Sequence, residues 1–125
     1  MLFATSDCYT VRQQAAITLH RETVNLKPNS YWYHELTGQG VIRVVSDFQE
    51  TDAKIYPMIL DLHGLEKCKK GEPYMTVDLD GSTPLCPQWS HTVVFGRDYT
   101  DKKYYIVMRN EDDREYTFSL LMYPS

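Results

Sequence analysis

Cysteine is sparse in this chain. Three occur in 125 residues, Cys8, Cys68 and Cys86, and they form no CxxC pair. An odd, scattered set of this kind makes neither a disulfide framework nor a zinc site. A reducing, cytoplasmic setting is the expectation that follows. Long apolar runs are missing too. No stretch approaches the ~20 apolar residues of a membrane span, so no transmembrane segment is expected. Positive charge is not in excess: 13 Lys+Arg stand against 17 Asp+Glu, for a net charge of -4. Binding to duplex nucleic acid wants a basic face, so nucleic acid is not an expected partner. The start, Met1-Leu2-Phe3-Ala4, has no basic region followed by a long apolar one, and we read no signal peptide there.

What is present points to a packed core. Hydrophobic residues make up 42% of the chain and aromatics 13%, far from a disordered composition. A chain of 14.6 kDa buries about two-thirds of its open-chain surface on folding. One domain over residues 1–125 is expected, with 1–16 as an ambiguous, irregular opening segment.

The patterning is that of short strands between turn signals. Thr18 to Leu26 opens the series and ends at Lys27-Pro28-Asn29. Ser30 to Leu36 is aromatic, and Val41 to Asp47 is β-branched. With Gly38-Gln39-Gly40 between them, they read as a hairpin. Ala53 to Asp61 contains Pro57, which cannot donate to a ladder, so an edge position or a bulge there is expected. His63 to Pro73 reads as a lysine-bearing loop, and Tyr74 to Asp80 as an alternating strand ended by Asp80-Gly81. Ser90 to Phe95, Lys103 to Asn110 and Glu115 to Tyr123 complete the set. In the last, Tyr116, Phe118, Leu120 and Met122 share one face. About eight strands at this spacing predict an all-β, antiparallel, jelly-roll-like β-sandwich.

Several groups of residues carry chemistry worth naming. Asp78, Asp80 and Ser82 alternate around Gly81, and Asp98 and Asp101 follow. Asp78, Asp80, Asp98 and Asp101 are the candidate calcium ligands, because Ca²⁺ takes 6–8 hard oxygens. The ordinary reading is a hairpin turn, with Glu111-Asp112-Asp113 as a second, solvated turn. Cys86 and His91 lie close in sequence, and an imidazole beside a thiol is the core of a cysteine nucleophile. Flanking Pro84 and Pro87, without a glycine-rich elbow, favour an ordinary thiol. His20, His34, His63 and His91 form no HxH or HExxH set, so metal ligation by them is not expected. Lys67, Lys69 and Lys70 make a small basic loop, read as solvated. Ten tyrosines and two tryptophans exceed what one small core takes. Tyr31 and Tyr33 share one strand face, and Trp32 and His34 the other. With Trp89 and Tyr105, these rings are the candidate ligand-binding surface.

Ser30-Tyr31-Trp32-Tyr33-His34-Glu35-Leu36, the glycine turn and Val41-Ile42-Arg43-Val44 resemble the opening hairpin of pre-peptidase C-terminal (PPC-like) sandwich modules. Lys103 to Met108, a polar turn and Tyr116 to Leu120 look like the closing hairpin of those modules, and of GOLD- and calpain-type sandwiches. The resemblance covers about residues 30–123. It implies an accessory module that binds and does not catalyse. The expected function is therefore a non-catalytic interaction module with a protein partner. The alternatives are a calcium-assisted carbohydrate- or phospholipid-binding module and, third, a small hydrolase using Cys86 and His91. Exposed sheet edges would also allow a homo-oligomer.

Overall fold

The computed structural model describes residues 20–36, 41–94 and 103–124. Among them are seven strands and one helix: β1 (His20–Leu26), β2 (Ser30–Leu36), β3 (Val41–Ser46), β4 (Ile55–Asp61), α1 (Leu62–Lys69), β5 (Ser90–Val94), β6 (Tyr104–Asn110) and β7 (Tyr116–Pro124). The expected opening segment 1–16, the Gly38–Gly40 turn, Asp98 and Asp101 lie outside the described residues.

Two antiparallel sheets form a sandwich. One has the order β1-β7-β3-β5 and the other β2-β6-β4. The alternation seen in the sequence sets the inward faces. Val24, Leu26, Ile42, Val44, Val93, Phe118, Leu120 and Met122 of the first sheet meet Leu36, Ile55, Ile59, Ile106 and Met108 of the second. Period-2 alternation leaves Arg43 of β3 and Thr117 and Ser119 of β7 on the outer face.

The pairing corrects the expected hairpins. Ser30–Leu36 pairs with β6, in the register Ser30↔Asn110 to Leu36↔Tyr104. Val41–Ser46 pairs with β5 and β7 in the other sheet. β6 and β7 also sit in opposite sheets, so they form no closing hairpin. Among the described strands, no two consecutive ones pair. A glycine turn signals that the chain reverses, but not whether it returns beside the outgoing strand or across the sandwich.

β4 is an edge strand, as its proline requires. Its free side is lined by the 77–85 segment: Ile59 N donates to Leu79 O, Val77 N to Ile59 O, and Leu85 N to Ile55 O. Pro57 has the same parity as Ile55 and Ile59, so its missing N–H falls on that side rather than in the β6 ladder. The rest of 74–80 is not a strand. Its backbone meets β4 through the bonds of Val77 and Leu79 and the isolated bridge Met58↔Asp80, because it crosses the edge and then turns at Gly81 (φ 78°).

The expected loop 63–73 opens with helix α1. Asp61 caps it, accepting from Gly64 N at 2.7 Å. Leu65 packs on Met58, Leu60, Tyr105 and Val107, so β4 and β6 of the three-stranded sheet are covered on both faces. That is why β6 is buried at every position except Arg109.

The turn 111–113 is not simply solvated. Asp112 is buried: its Oδ2 accepts from Tyr116 Oη at 2.6 Å and from Arg114 at 3.2 Å, and its Oδ1 from Asp113 N at 2.8 Å. Asn110 beside it donates to Lys27 O at 3.0 Å and Arg114 O at 2.8 Å, tying this turn to the one after β1.

Candidate functional site

The outer face of β2 carries the exposed aromatics. Alternation aims Tyr31 and Tyr33 outward, while Trp32 turns inward and packs against the core. Tyr31 is 39% exposed and Tyr33 40%. Their rings lie 6.3 Å apart, inclined by 26°. Tyr33 sets its edge against the buried ring of Tyr105, at 6.1 Å and 77°. Lys69, in the last turn of α1, donates to Tyr33 Oη at 2.9 Å and lies 4.4 Å from the ring centre. That hydrogen bond raises the Lys69 pKa.

The helix reaches this position because Gly64 allows it to sit close. A Cβ there would lie 3.0 Å from Met75 O and 3.2 Å from Asp61 Oδ1, the cap itself.

Beside the tyrosines lies a groove of about 500 Å³, walled by Tyr31, Cys68, Glu72, Tyr74, Arg109 and Glu111. Arg109 is the one position of β6 that is not fully buried. Its Nη1 donates to Tyr74 Oη at 3.0 Å, and the guanidinium lies 5.7 Å from the Tyr56 ring. Its Nε is buried at 2.5 Å from Glu111 Oε2, without an aligned hydrogen bond. Burial, more than any neighbour, raises the Tyr74 phenol pKa, so Tyr74 stays a neutral donor and reaches Met58 Sδ at 3.2 Å. The groove thus offers two aromatic faces, a guanidinium and rim carboxylates. Such a mixture suits an extended peptide carrying both apolar and polar side chains.

The other sequence-derived candidates are dispersed. Trp89, like Trp32, is half-buried against the core and stacks on His91 at 6.1 Å. Tyr105 is buried beneath α1. Of the five candidate rings, only Tyr31 and Tyr33 are largely exposed. Asp78 Oδ2 lies 2.9 Å from His91 Nε2, and Asp80 Oδ1 accepts from Ser82 N and Oγ at 2.9 and 2.6 Å. These bonds to Ser82 lower the Asp80 pKa. Cys86 is exposed, and the His91 imidazole is engaged by Asp78 rather than by a thiol.

Sequence reasoning missed α1, Tyr74 and Arg109. The helix had signals: Asp61 as a cap, Lys67 and Lys69 in the last turn, and Gly71 (φ 72°) just beyond. Arg109 had a weaker one, a lone charge in an otherwise apolar strand. His63 is exposed on α1, but His20 and His34 come together with Glu22, a grouping that no short spacing announces.

Among the described residues, no helix is long and apolar enough to cross a membrane. No known family model, curated protein or solved structure matches the chain.

Proposed function

We propose that this chain is a non-catalytic β-sandwich interaction module that takes an extended segment of a protein partner along the outer face of β2 and into the groove beside it. The observation that carries this reading is the exposed Tyr31–Tyr33 pair opening onto the Tyr74–Arg109 groove. Tyrosine and arginine are the residues on which binding energy concentrates, because they offer large rigid area and a polar end at low entropic cost. Here the supporting groups are already ordered: Tyr105 backs Tyr33, Lys69 fixes its hydroxyl, and Tyr74 orients Arg109. Ordering before binding lowers the cost of association. The sparse cysteines favour a reducing compartment for the encounter.

The test has two steps. A photo-reactive phenylalanine at position 31 identifies what the face touches in its native source. Titration of that partner against the unmodified chain and a Tyr31→Ala/Tyr33→Ala variant then measures the contribution of the face. We expect the double variant to stay folded, with a modest loss of Tm from the Tyr105 and Lys69 contacts of Tyr33, and to bind at least tenfold more weakly. Unchanged affinity in the double variant would refute the assignment. Glycan arrays and anionic vesicles, with and without Ca²⁺, test the alternative. Calcium-dependent binding that survives loss of both tyrosines would transfer the function to the Asp78–Ser82 turn.

A further inference from the structure

We propose that His20, Glu22 and His34 form a binding site for a divalent transition-metal ion of the zinc class at the edge where the two sheets meet. The site is separate from the tyrosine groove, and it does not rest on the function proposed for that groove.

The placement follows from topology. β1 and β2 are the outermost strands of opposite sheets, joined through Lys27-Pro28-Asn29, with Asn29 in the left-handed region (φ 56°). Glu22 and His34 are equidistant from Pro28 along the chain, so the returning strand sets one opposite the other. His20 and Glu22 are two apart on β1 and therefore share a face.

The geometry is close to what a metal requires. The three ligand atoms all lie within 4.8 Å of one another. His34 Nδ1 is 3.6 Å from Glu22 Oε2, and His20 Nε2 is 2.6 Å from the same oxygen. Tetrahedral zinc, with bonds of about 2.0–2.2 Å, places neighbouring ligand atoms roughly 3.3–3.5 Å apart. The His34–Glu22 separation already fits. The His20–Glu22 contact has to open by less than about 1 Å, and the His20 side chain, 50% exposed, has room to do so. The two imidazoles are stacked 4.6 Å apart, inclined by 21°, so the exposed His20 ring also has to turn before both nitrogen lone pairs, which lie in the ring planes, converge on one ion. Trp32 backs His34 with a parallel ring at 6.1 Å and 7°.

The donor set selects the ion class. Two imidazoles and one carboxylate suit zinc, copper or nickel, whereas calcium wants oxygens alone. Three protein ligands leave a coordination position for water or for a donor from a partner. Because two ligands come from one sheet and one from the other, a bound ion fastens the sheets together at this edge and stabilises the folded form.

The experiment uses the full chain, stripped with chelator and titrated with Zn²⁺. We expect one ion per chain and a rise of several degrees in Tm. In the unmodified protein, the ring NMR signals of His20 and His34 should shift while those of His63 and His91 stay in place. Affinity should fall at least tenfold in His34→Gln and in Glu22→Gln. The proposal fails if Zn²⁺ produces neither heat nor a Tm rise, or if the shifted signals belong to His63 or His91. The NMR readout stands even if a variant folds poorly. In folded variants, affinity equal to that of the unmodified chain would also overturn it.

Discussion

Asp112 shows how much one side chain can organise. The Tyr116 hydroxyl, then the Arg114 guanidinium, hold its carboxyl well below the usual carboxylate range. Burial, then the bond to Asp112, push Tyr116 up to about 12. The signs are opposite. A depressed carboxylate stabilises the fold above its ordinary pKa and loses that contribution as pH falls below about 4. A raised phenol stabilises below pH 10 and loses its contribution as pH climbs toward 12. Asp112→Asn should lower Tm by several degrees at pH 7, with the gap to the unmodified chain closing steadily below pH 4. Tyr116→Phe should show its deficit below pH 10 and lose it above. Thermal melts across pH check both, and a gap that keeps its size at pH 2.5 would show that the Asp112 charge contributes nothing. This pairing was half legible in the sequence: the acidic turn was visible, but its burial was not, because it depends on how Arg114 and the Tyr116 hydroxyl fold back over the carboxyl.

Among the elements, α1 is the one the strand pattern concealed. Eight residues are too few to be stable alone, so packing of Leu65 and the Asp61 cap must hold them. Asp61→Ala removes the acceptor for Gly64 N and should cost about 1 kcal/mol, a fall of roughly 5 °C in Tm. It should also free Lys69 from Tyr33, which the ring signals of Tyr33 would report. An unchanged melt would mean that packing alone holds the helix. The edge position of β4 was legible, since a proline without an N–H tolerates few others. The face of β7 was legible as well, because period-2 alternation is a property of consecutive residues. The two hairpins were misread because turn chemistry encodes reversal, not destination.

At the scale of the whole molecule, every described pairing joins strands distant in sequence. β1 pairs with β7, from His20↔Met122 to Leu26↔Tyr116, and β7 also holds β3. β6 holds β2 and β4. The described strands form no local hairpin, so loop closure must come before most of their contacts form. Folding should therefore fall in the millisecond-to-second range. Stopped-flow refolding measures this, and a microsecond phase carrying the full amplitude would contradict the topology. The same connectivity makes both candidate sites composite. The groove needs β2, α1 and β6, and the histidine cluster needs both sheets.

The sequence by itself determined that the chain forms strands, which side of most strands turns inward, where β4 must lie, and that aromatics exceed what the core requires. Those properties depend on neighbours one to four residues away. Tertiary structure alone decided which tyrosines stay exposed, that Trp32 and Trp89 pack inward, and that His20 and Glu22 meet His34. The reason is physical. Strand partners are chosen by burying all apolar faces at once, so the company a side chain keeps is set by segments far along the chain.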